Sequence, residues 1–92
     1  MNEQTKVIAC SLDRADRAER AERWHALGGY AVEQLDNGIR LVFANNVEHE
    51  LHELAVLERE CCAFADWDVS GNTIAITADN VTAVAAVRAL GF

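Results

Sequence analysis

Two turn signals, Asn37-Gly38 and Gly71-Asn72, each stand between two short apolar runs. The first separates AVEQL from IRLVF, and the second divides DWDVSGNTIAITA. Asparagine and glycine tolerate the positive φ that tight hairpin turns demand, so the sequence predicts two β-hairpins. Any sheet this chain builds must accommodate both. Proline is absent, so glycine and asparagine supply the punctuation elsewhere as well.

The segments around the hairpins read as helices and one further strand. Residues 6–12, KVIACSL, are rich in apolar and β-branched side chains and predict a short strand. Asp13 is placed to cap a helix through RADRAERAERWHAL, with Gly28 and Gly29 as its stop. A second helix is expected in NVEHELHELAVLERECCAFA, capped by Asn45 or Asn46. A third, DNVTAVAAVRAL, takes Asp79 or Asn80 as cap and Gly91 as stop. The order β-α-ββ-α-ββ-α implies an α+β two-layer sandwich in a single domain over residues 1–92. Its sheet would be antiparallel or mixed, of about five strands, with helices on one face.

The first helix repeats an acid–arginine–alanine unit. Asp13–Arg17, Asp16–Arg20 and Glu19–Arg23 fall at i,i+4, each supporting the helix by a few tenths of a kcal/mol at most, roughly. Such a repeat is most often a solvated helix face.

Composition narrows the function classes. Hydrophobic residues are 51% of the chain and charged residues 25%, which suits a globular domain. A chain of 92 residues buries roughly 60–65% of its unfolded surface, so a metal ion or a homodimer partner would supplement its stability. The net charge of −7 argues against nucleic acid and against an anionic membrane as partners. No apolar run approaches the ~18 residues of a membrane span, and MNEQTKVIAC lacks the pattern of a secretory signal. A cytoplasmic location is expected. Three cysteines make an odd count, and a disulfide framework is not anticipated in a reducing compartment.

Sulfur chemistry concentrates in residues 57–64, LERECCAF. On a helical wheel Val47, Leu51, Leu54, Ala55 and Ala65 share an arc of roughly 100°, the expected core face. Glu58 falls near its centre, with Cys61 to one side and Cys62 to the other. A carboxylate aimed inward therefore has a thiol near it on each flank. A lone buried carboxylate costs several kcal/mol, so Glu58 needs a partner. An arginine of the sheet or first helix, such as Arg40, would serve. So would backbone or hydroxyl donors, or a metal ion.

Cys10 favours the metal, because a strand beneath the helix could bring a third sulfur to the same place. Cys10, Glu58, Cys61 and Cys62 would then form a donor set for a thiophilic ion of the zinc, copper, mercury or arsenic class. Adjacent cysteines on a regular helix diverge by about 100°, so both reach one ion only if the helix ends there. Two alternatives stand beside this reading. One is a thiolate-dependent enzyme with Cys61 or Cys62 as nucleophile, although no histidine falls on the cysteine face of the wheel. The other is a dimerising or interaction module whose cysteines only fill the core.

With IACSL near the start and LERECCAF on a late helix, the chain resembles a family of small bacterial proteins with a Glu-x-x-Cys-Cys-x-Phe signature. Such segments occur beside or fused to metal-responsive regulators of the mercury-resistance-regulator type. The likeness rests on Cys10, Glu58, Cys61, Cys62 and Phe64, and departs at Ala63, where many relatives carry proline. It implies a metal- or thiol-related role. No helix-turn-helix is evident here, so DNA binding does not follow.

Other polar residues carry less. His49, His52 and Glu53 have chelating spacings but face away from the core arc, which predicts a solvated face. His25 near the end of the first helix suits capping or packing. Trp24 and Trp67 are expected in the core or at an interface.

Overall fold

The computed structural model describes residues 14–92. In chain order these form α1 (Arg14–His25), β1 (Tyr30–Leu35), β2 (Gly38–Phe43), α2 (Glu48–Cys61), β3 (Asp66–Ser70), β4 (Thr73–Thr77) and α3 (Val81–Arg88). The four strands make one antiparallel sheet in the order β1-β2-β4-β3. This is the expected α+β arrangement of helices packed on a sheet, with four strands among the described residues rather than about five. The strand expected at residues 6–12, the cap at Asp13 and Cys10 all lie outside the described residues.

Both hairpins form, and their turns repay comparison. At the second, Ser70 pairs with Thr73 across Gly71-Asn72, and Gly71 takes φ +61°, as the turn chemistry requires. At the first, Leu35 pairs with Gly38, so the two turn residues are Asp36 and Asn37, one position earlier than the Asn-Gly signal indicates. Gly38 is instead the first residue of β2, paired with Thr77. A Cβ there would lie 2.0 Å from the Ile76 carbonyl oxygen, so glycine is needed for close backbone approach rather than for positive φ.

Alternation along the strands selects one buried face. Ile39, Leu41 and Phe43 of β2, Ile74 and Ile76 of β4 and Trp67 of β3 point to the side covered by α2 and α3, and all are buried. The other face carries Arg40, Asp66, Asp68 and Ser70. Leu51, Leu54 and Ala55 of α2 and Ala83 and Val87 of α3 close the core from above.

The helix ends correct some of the sequence expectations. Neither Asn45 nor Asn46 caps α2: the N-cap is Val47, which makes no side-chain capping bond. The Asn45 amide donates instead to the Leu27 carbonyl at 3.3 Å, tying the loop before α2 to the end of α1. Glu48 and Glu50 in the first turn complement the helix dipole. For α3, Asn80 is the cap, accepting from the Ala83 amide at 2.9 Å. Gly28 and Gly91 adopt positive φ near the helix ends, where stops were expected.

Candidate metal centre

The C-terminal turn of α2 places three donor side chains together. Glu58 is 5% exposed, and it is the one buried charged residue among those described. Cys61 closes the helix, while Cys62 is its C-cap with φ −121° and ψ 61°. That departure from helical geometry is what brings the sulfurs together. The Cys62 amide still donates to the Glu58 carbonyl at 2.6 Å, but the side chain no longer follows the helical progression. The sulfurs lie 3.6 Å apart, well beyond the ~2.05 Å of a disulfide.

Trp67 helps hold this exit. Its Nε1 donates to the Cys62 carbonyl at 3.2 Å, and its own carbonyl accepts from the Arg59 guanidinium. The start of β3 thus grips the helix end from both sides. Phe64 and Ala65, between the two elements, are buried.

Around Glu58 the polar contacts divide between its two oxygens. Oε2 accepts from Trp24 Nε1 at 2.7 Å. Oε1 accepts from Arg20 Nη1 at 2.9 Å and from Cys61 Sγ at 3.3 Å, and stands 4.0 Å from Cys62 Sγ. Arg20 Nη1 also approaches Cys61 Sγ at 3.7 Å. The cluster therefore joins a carboxylate, a guanidinium, an indole and two sulfurs, with α1 and α2 each supplying charge. Arg20, not Arg40, is the arginine on Glu58. Arg40 pairs with Glu33 across the first hairpin at 3.1 Å, on the opposite side of the sheet from α2. One member of the charged repeat in α1 is accordingly turned inward.

The donor distances can be set against those a metal imposes. Two thiolates about 2.3 Å from a tetrahedral zinc lie about 3.8 Å apart, and a thiolate and a carboxylate oxygen about 3.6 Å apart. The corresponding separations here are 3.6 Å between sulfurs, with 3.3 and 4.0 Å from each sulfur to Oε1. All three donor atoms fall within 4.8 Å of one another, close enough to hold one ion. Sequence reasoning placed these three on one face. It allowed an arginine of the first helix as partner to Glu58 without singling out Arg20, and it missed Trp24 as a donor; their i,i+4 spacing on α1 is the one signal that they share a side.

Other candidates occupy different settings. His49 faces Glu53 at 3.4 Å and His52 faces Glu48 at 3.8 Å, all exposed on α2. Trp24 and Trp67 are buried, and Trp24 stacks on Phe43 with centroids 6.3 Å apart. Phe92 sets its edge against Trp24 at 5.1 Å. Beside the cluster opens a cavity of about 290 Å³, lined in part by Cys62, Glu58, Trp24, Trp67 and Phe92. His25, exposed at the end of α1, lines the same cavity.

No helix among the described residues is long and apolar enough to cross a membrane. Comparison with family models, with curated proteins and with solved structures returned no match.

Proposed function

We propose that the protein binds a thiophilic metal ion through Glu58, Cys61 and Cys62, with Cys10 as a further donor, to sense, carry or sequester it. The observation that carries this reading is the convergence of two sulfurs and a carboxylate oxygen, all buried, at separations matching the edges of a zinc-sized coordination shell. Thiolate donors select ions of the zinc, copper, mercury or arsenic class over calcium and magnesium. Binding releases the thiol protons, so uptake should strengthen as pH rises. It also requires Arg20 to yield Oε1 to the ion, while Trp24 keeps its bond to Oε2. The resemblance to proteins encoded beside regulators of the mercury-resistance type points the same way.

A second reading has an observation of its own. Arg20 and Trp24 already satisfy both oxygens of Glu58 without an ion, as they would in a purely structural cluster. Adding cadmium to reduced protein purified without a metal-affinity tag separates the two. A thiolate-to-metal absorption band, lost in Cys62→Ser and weakened in Glu58→Gln, is the expected result. No band, with thiols that label only on denaturation, leaves the structural cluster.

A further inference from the structure

The cavity beside the cluster is not accounted for by metal ligation alone. Cys62 and Glu58 line it, whereas Cys61 does not, so the cavity meets the donor set on its Cys62 side. Its remaining walls combine two chemistries. Trp24, Tyr30, Trp67 and Phe92 provide apolar surface, and Arg17, Arg20 and His25 bring cationic or protonatable groups to the same space. Arg20 is paired with Glu58 at 2.9 Å, so Arg17 and His25 are the groups that make this wall an anion site in a chain of net charge −7. The volume of about 290 Å³ suits a molecule of a few heavy atoms beyond the ion itself.

A soft ion in the presence of small thiols is held by sulfur rather than by water. It would therefore reach this protein as a thiolate complex whose organic ligand needs somewhere to sit during transfer. We propose that the cavity docks a small thiol bearing a carboxylate, the escort of the incoming ion. Arg17 and His25 receive the carboxylate, and Cys62 is the first protein sulfur to displace the escort. This rests on the metal-binding reading of the same cluster. Each exchange forms one bond from a cysteine sulfur to the metal and breaks one bond from the metal to the escort sulfur. The cysteine proton leaves with the departing thiol, and no electrons change hands. Cys61 then displaces the second escort and completes the transfer.

The test presents cadmium to the reduced protein in three forms: as cadmium chloride, as its complex with mercaptosuccinate, and as its complex with the uncharged 2-mercaptoethanol. Loading is followed over time by native mass spectrometry. The mercaptosuccinate complex should load about tenfold faster than the mercaptoethanol complex at physiological salt, where screening weakens repulsion by the chain's net charge of −7 and leaves the local attraction of Arg17 and His25. That ratio should fall close to one in Arg17→Ala. Cys61→Ser should trap a species carrying cadmium and one mercaptosuccinate, which Cys62→Ser should not form. Equal rates for the two complexes, a ratio unchanged in Arg17→Ala, or no trapped species would overturn the docking proposal while loading from cadmium chloride upholds metal binding. Absence of loading from all three forms would overturn both.

Discussion

At the start of α2, His49 faces Glu53 and His52 faces Glu48; one end further along, Glu58 faces Cys61 and Cys62. Each group pairs ionisable side chains at helical spacings of three or four residues, and each offers donor atoms that metals use. The difference lies in what surrounds them. The histidine side chains are 81% and 57% exposed, and water competes for every contact they make. Exposed pairs of this kind are worth ~0–1 kcal/mol. Glu58 is 5% exposed and bonded to Trp24 and Arg20, so its polar contacts are stronger and their loss costs more. Spacing on a helix makes a donor set available; burial decides whether it acts as one.

The same contrast can be broken most forcefully at the sulfurs. Cys62→Ser should abolish the cadmium-dependent absorption band, while the double change His49→Ala with His52→Ala should leave it intact. A band left unchanged by the first substitution, or lost with the second, would overturn the assignment of Cys62 as a donor that acts without the histidines. Next in size is Arg20→Ala, which leaves the buried Glu58 carboxylate without its counter-charge. A loss of about 3 kcal/mol in urea unfolding is expected. Removing Glu58 as well, in Arg20→Ala with Glu58→Leu, should restore part of it, because no uncompensated charge then remains. Trp24→Phe keeps most of the ring but deletes the 2.7 Å bond to Oε2, and should cost about 1.5–3 kcal/mol. Smallest of all is His49→Ala, expected to change stability by less than about 0.5 kcal/mol at neutral pH and to show little salt dependence.

Much of this contrast was legible in the chain itself. The 3.6-residue period separates Leu51, Leu54 and Ala55 from His49 and Glu53, and it aims Glu58 inward; the described burial follows that division. Hairpins were legible because turn chemistry is local, yet the first turn sits one residue before its signal. Gly38 is demanded by the Ile76 carbonyl of a strand far away in sequence, and no local rule could distinguish that need from a turn. The cap of α2 was misplaced for a related reason: the Asn45 amide is engaged with Leu27, a partner supplied by the packing of another segment.

The sequence by itself determined which residues of α2 line its core side and that an acid and two thiols share that side, because helical periodicity depends only on neighbours along the chain. Tertiary structure alone decided that Arg20, rather than Arg40, neutralises Glu58. It also decided that α2 ends at Cys61 with Cys62 held by Trp67, and that a cavity opens on the Cys62 side. Those outcomes depend on contacts between segments 5 to 38 positions apart, where the cost of closing the chain and the fit of side chains choose among partners that look equivalent in the linear order.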